Sequence, residues 1–113
     1  MHELSIMGEV LRIVENTVVM NNLNKVSCVV LQVGELTSVV PDYLVEYYPA
    51  VTYKTSLEGT ELRLEIIEGI GKCCNCGKKF NVLKKDGTCP DCKSKNFDVV
   101  SGRDFVIKEI LAD

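Results

Sequence analysis

Residues 73–92 read CCNCGKKFNVLKKDGTCPDC, in which Cys73-x-x-Cys76 and Cys89-x-x-Cys92 form two hooks separated by twelve residues. Each hook can present two thiolates from one tight turn, and Gly77 supplies backbone freedom where the chain folds back beneath the sulfurs. Between the hooks, Asp86-Gly87 has the composition of a hairpin turn that brings the second hook over the first. Four thiolates complete a closed tetrahedron. With no coordination position open to activate water, the pattern predicts a structural metal at Cys73, Cys76, Cys89 and Cys92. A rubredoxin-like iron site would use the same ligands, but nothing else in the chain suggests electron transfer, so zinc is the metal expected. Cys74 adjoins the first hook and could compete; the paired spacing favours Cys73.

Moving outward, the 113 residues hold no apolar run of about 18, and the opening Met-His-Glu lacks the basic segment and apolar stretch of a secretory signal. A cytoplasmic protein without membrane contact is expected. In that reducing compartment the regular cysteine spacing points to metal ligation and away from disulfides. A chain of this size supports one modest core with a small appendage, and a bound metal would add useful stability.

Charge divides the chain. Residues 71–95 carry seven lysines against Asp86 and Asp91, a net of +5, whereas the remainder carries −8. The alternative function this raises is a zinc-ribbon module that binds nucleic acid. Against it, a zinc tetrathiolate contributes about −2, Phe80 and Phe97 are the only aromatics there, and the acidic remainder repels phosphates. A solvated knuckle, or a docking surface for an acidic partner, accounts better for the lysines.

The flanking segments alternate between helical and extended periodicity. Leu4, Met7, Leu11, Val14 and Val18 recur at spacings of three and four and predict a first helix ending near Asn21-Asn22. Lys25 to Val33 reads as a buried strand in which Cys28 acts as a small hydrophobe. A second helix follows, capped by Ser38 and entered near Pro41, with Leu44, Tyr47, Tyr48 and Val51 on its apolar face and Pro49 predicting a kink or early end. Thr60 to Glu68 alternates with Leu62, Leu64 and Ile66 on one side, and Asp104 to Leu111 alternates through Phe105, Ile107 and Leu111. The class is α+β, with two helices packed on a small three-stranded sheet and a four-cysteine zinc-ribbon subdomain inserted before the last strand. Residues 1–70 and 101–113 form the α/β domain, and 71–100 the zinc-binding subdomain.

Along nearly its whole length the chain resembles the HypA/HybF family of hydrogenase maturation factors. The residues that carry the resemblance are Met1-His2-Glu3-Leu4-Ser5, Val33-Gly34-Glu35-Leu36, Leu57-Glu58-Gly59-Thr60-Glu61-Leu62 and the two hooks. It implies a nickel metallochaperone, not an enzyme, that binds Ni(II) at its N-terminus and hands it to the nickel-iron hydrogenase large subunit. It also implies work beside the hydrogenase maturation GTPase and, in some bacteria, service to urease and its accessory proteins. Pro49 and Cys74 depart from the family pattern. On its own His2 reads as a frayed terminal residue; the resemblance makes Met1, His2 and Glu3 the nickel site. The chemistry suits that role, because the Met1 amine, the His2 amide and imidazole nitrogens and the Glu3 amide can form adjoining chelate rings around square-planar nickel(II).

Overall fold

The computed structural model describes residues 2–112, with side chains from residue 3 onward. Helix α1, His2–Met20, buries Glu3, Met7, Val10 and Val14, a stripe with successive spacings of four, three and four. The expected stripe is therefore rotated: Leu4 is 48% exposed, Leu11 and Val18 are half-buried at the margin, and Val10 enters the core. At 100° per residue, a face centred on Met7 and Val14 takes in Val10 before Leu4. Asn22 ends the helix as expected. Its left-handed φ of 53° lets the Leu23 N–H reach back to the Val18 carbonyl at 3.0 Å.

Strand β1, Val26–Gly34, is buried at nearly every position and lies centrally in a three-stranded sheet of order β2-β1-β6. Helix α2, Pro41–Thr52, follows and packs against α1. Its N-cap is Val40, in the extended conformation that a following proline imposes, so the expected Ser38 cap is not used. Pro49 does not end α2, which continues to Thr52, where the threonine hydroxyl donates to the Tyr48 carbonyl at 2.8 Å. Leu44 and Tyr48 are buried on the predicted face.

Strand β2 is Glu61–Ile67 and β6 is Phe105–Ala112. Thr60 Oγ1 donates to Val26 O at one end and the Glu35 N–H to Ile67 O at the other, so β1 and β2 run in the same direction, joined through α2. Ser27 Oγ reaches Leu111 O and the Gly34 N–H reaches Asp104 O, which makes β6 antiparallel to β1. In both outer strands the alternation slips by one residue. Ile66 is 51% exposed after Leu62 and Leu64 point inward, and Ile110 takes the half-buried position expected of Leu111. A one-residue slip moves a side chain to the opposite face.

Two compact units result, one comprising 1–31, 39–65 and 106–113, the other 32–38 and 66–105. The first has its core in Met7, Val14, Leu31, Leu44 and Leu57. The second holds an additional sheet of order β4-β3-β5, built from β3, Ile70–Cys73, β4, Lys79–Asn81, and β5, Phe97–Ser101. Both pairings are antiparallel. Glu35 ties its segment into this unit, because its Oε1 accepts the Gly69 N–H at 2.9 Å and an Asn81 Nδ2 hydrogen at 3.2 Å. Those two donors hold the Glu35 carboxyl below its ordinary range, the Gly69 N–H contributing most. Among the described residues no helix is long and apolar enough to cross a membrane.

Candidate metal centres

The two hooks adopt the same backbone geometry. In the first, the Cys73 N–H donates to Lys78 O at 2.8 Å and the Gly77 N–H returns to Cys73 O at 3.0 Å. In the second, the Cys89 N–H donates to Ser94 O at 2.9 Å and the Lys93 N–H returns to Cys89 O at 3.0 Å. The left-handed residue that closes each turn is Gly77, φ 80°, in one and Lys93, φ 66°, in the other. Asp86 and Gly87 also take positive φ, but the turn they occupy leads from β4 into the second hook and does not join two paired strands.

The hooks bring the four sulfurs together, all within 4.8 Å of one another. Cys73 Sγ lies 3.5 Å from Cys92 Sγ, and Cys76 Sγ lies 3.6 Å from Cys89 Sγ. These distances are far beyond a disulfide bond of about 2.05 Å. They approach the roughly 3.8 Å edge of a tetrahedron whose centre sits about 2.3 Å from each sulfur, the zinc–thiolate length. Backbone N–H groups of Asn75 and Cys76 point at Cys73 Sγ at 3.4 and 3.5 Å, stabilising negative charge on that sulfur. The donor set and spacing thus fit a zinc ion, which would be held by Cys73, Cys76, Cys89 and Cys92.

Electrostatics among the thiols point the same way. A hydrogen bond from the Asn75 side chain, then the Ser94 backbone N–H, brings Cys92 down to about 6. The Lys78 backbone N–H favours the Cys76 thiolate, but the neighbouring thiol of Cys89, burial and the thiols of Cys92 and Cys73 outweigh it and push Cys76 up to about 12. A divalent cation held among the sulfurs would favour the thiolate over the thiol there. Cys74 stands outside the cluster and is exposed, its backbone N–H bonded to Asn96 O at 2.9 Å. Cys28 is buried on β1 in the other unit.

Met1 and the side chain of His2, the heart of the expected nickel site, lie outside the described residues. Glu3 is described. Its side chain is only 4% exposed and Oε2 accepts the Val40 N–H at 2.9 Å, latching the start of α1 to the residue that caps α2. That N–H, then the residue's own, lowers the Glu3 carboxyl below its ordinary value. Sequence reasoning missed the latch because its partner lies 37 positions away.

An α+β protein with one helical unit and one ribbon gathered around four thiols defines a small metal-handling protein. A family model described as "Hydrogenase/urease nickel incorporation, metallochaperone, hypA" matches residues 1–112. The chain is 38% identical over 110 residues to a hydrogenase maturation factor HypA of Geobacter metallireducens, covering 97% of each chain. It is 36% identical over 113 residues to one of Chlorobium limicola, covering 100% of this chain and 97% of the relative. The chain therefore belongs to the HypA family. Its fold is similar to the solution structure of the nickel metallochaperone HypA from Helicobacter pylori, with a TM-score of 0.66, 19% identity and coverage of 97% of this chain and 96% of that one. A second HypA solution structure superposes with a TM-score of 0.70 at 21% identity, over 99% of this chain and 96% of that one.

Proposed function

We propose that this chain is a cytoplasmic nickel metallochaperone that carries Ni(II) on Met1, His2 and Glu3 and delivers it to the nickel-iron hydrogenase large subunit. The hydrogenase maturation GTPase is its working partner, with service to urease accessory proteins where a urease is present. Nickel is the cargo. Zinc is resident and structural on Cys73, Cys76, Cys89 and Cys92, within the 71–100 subdomain, and the α/β domain of 1–70 and 101–113 carries the nickel terminus.

The observation that carries this reading is the closure of the sulfur cluster in a member of a nickel-incorporation family. A tetrathiolate leaves no open position for cargo, so nickel needs a second set of donors. The Glu3 carboxylate is engaged by the Val40 N–H and by the residue's own N–H, so ligation by the Glu3 amide nitrogen gives up the second bond while the Val40 latch still holds the residue. A closed thiolate site also offers no catalytic water, in keeping with a carrier and not an enzyme.

The test is calorimetric and spectroscopic nickel titration of zinc-loaded protein, with and without His2→Ala. His2 is the only histidine. The variant is expected to lose specific nickel binding and the visible band of square-planar nickel while retaining one zinc per chain. Full nickel affinity in the variant would refute the N-terminal site.

A further inference from the structure

The second unit has eight basic and six acidic residues, and its positive charge is concentrated in the seven lysines of residues 71–95. All seven lysines between 71 and 95 are exposed. Among the described residues the ion pairs are Arg12–Glu9, Arg63–Glu61 and Lys108–Glu65, and none of the seven takes part. Lys72 and Lys79 are direct cross-strand partners in the β3–β4 ladder, an arrangement of like charges that weakens a sheet. From these observations we propose that the lysine-rich part of the ribbon, with Lys72 and Lys79 on one side of the β3–β4 ladder and Lys84 and Lys85 on the turn after it, is a docking surface for a carboxylate-rich segment of a partner protein.

Local geometry suits that role. Asn81 is held by Glu35 and Glu68, and its Oδ1 accepts the Lys84 N–H at 2.9 Å. The Lys85 N–H bonds to Asn81 O at 3.0 Å, so Lys84 and Lys85 stand on an ordered turn and less entropy is lost on docking. Between Asn81 and these lysines, Leu83 is 58% exposed, an apolar anchor beside the charges. A zinc tetrathiolate of about −2 would reduce the net +5 of residues 71–95 without cancelling it.

Nucleic acid fits the face less well. The Phe80 ring is 5% exposed and packs edge-on against half-buried Phe97 at 5.5 Å, which withdraws both from base stacking. The acidic remainder of the chain repels a long polyphosphate, whereas a short acidic segment can be confined to the ribbon.

This inference is independent of the nickel reading and is tested without nickel. A fluorescein-labelled glutamate-rich decapeptide with a central leucine and a single-stranded RNA 12-mer are titrated separately into full-length zinc-loaded protein, with amide shifts mapped by NMR. The peptide is expected to shift resonances within residues 72–95, to bind more weakly as salt rises, and to outcompete the RNA. The combined K79E, K84E and K85E changes should weaken peptide binding on the order of tenfold or more, while K25E in the other unit leaves it unchanged. If the triple variant loses zinc, K84Q with K85Q on the exposed turn replaces it, with a severalfold loss expected. Absence of saturable peptide binding, unchanged affinity in the lysine variants, or preference for the RNA overturns the proposal.

Discussion

Replacing Cys92 with serine should unfold the ribbon unit while the helical unit stays intact. The buried cluster of the second unit consists of Cys73, Phe80 and Cys89, with Val82, Cys92 and Phe97 packed against it. Three of those six residues are metal-ligand candidates. Without a metal the apolar contribution falls to Phe80, Phe97 and Val82, at about 2 kcal/mol each, with about 1 kcal/mol more from the edge-on ring pair. A structural zinc in a small domain contributes about 10–16 kcal/mol, more than that whole apolar set, so the unit's order should depend on the ion. The helical unit has a separate core in Met7, Val14, Leu31, Leu44 and Leu57. Hydrogen–deuterium exchange with and without chelator, read beside zinc content, separates the two. A drop of only about 4 kcal/mol in local opening free energy speeds exchange roughly a thousandfold, so amides of 70–101 should lose protection by at least that factor. Amides of α1, α2 and the first half of β1 should change little. Full protection of 70–101 in zinc-free protein would refute the reasoning, because the ribbon would then be stable on Phe80, Phe97 and Val82.

Gly77→Ala should destabilise the zinc-loaded ribbon by about 1–2 kcal/mol in chelator challenge, because φ is 80° there although the new Cβ would meet nothing within 4 Å. The cost is purely conformational; an unchanged zinc release rate would show that the first hook tolerates another turn. The Glu3 carboxyl is lowered in the folded state, so its stabilising contribution is complete above its ordinary value near 4.3 and lost as pH falls through the lower folded value. Glu3→Gln should accordingly flatten part of the acid limb of the unfolding curve, and an identical limb in the variant would count against the latch. A Gly-Ser extension before Met1 should weaken nickel binding although every side chain remains, since it converts the terminal amine to a planar, weakly basic amide. Equal affinity in scarless and extended proteins would remove the amine from the ligand set.

The most legible parts of the sequence were those whose geometry is fixed over a few residues. Cys73, Cys76, Cys89 and Cys92 could be grouped because each x-x spacing sets a local turn, and the sulfurs indeed converge. Helix α2 was recognisable from Pro41 and the Leu44–Tyr48 face, and of the kink or early end expected at Pro49 the early end does not occur: near the C-terminal end of a helix a proline removes a bond without stopping the last turn. The ribbon strands β3, β4 and β5 escaped notice because they span only four, three and five residues and one of them ends in Cys73, a candidate ligand. Such runs are too short for alternation to register. Tertiary partners were invisible for a different reason. Glu35 gave no local sign that its carboxylate would bind the Gly69 N–H, yet that bond helps place residues 32–38 with 66–105.

On the proposed reading, the two sets of donors differ in what they must do with a metal. A resident ion should be bound by preformed donors that cost little to organise, and the two hooks meet that condition: each repeats the same pair of backbone hydrogen bonds, and N–H groups already face Cys73 Sγ. Cargo has the opposite requirement, because ligands that cannot open cannot release. An amine, an imidazole and deprotonated amides at a chain terminus can be removed one at a time, each taking up a proton as it leaves. Such stepwise exchange is harder for a tetrathiolate in which Cys73, Cys89 and Cys92 belong to the packed cluster of the unit and only Cys76 is exposed. Glu3 lies at the junction between the two requirements: its carboxylate belongs to the fold through Val40, while its backbone nitrogen belongs to the terminus. Anchoring residue 3 fixes one end of the proposed donor set, so its adjoining chelate rings can close against the fold and still be opened by an acceptor protein.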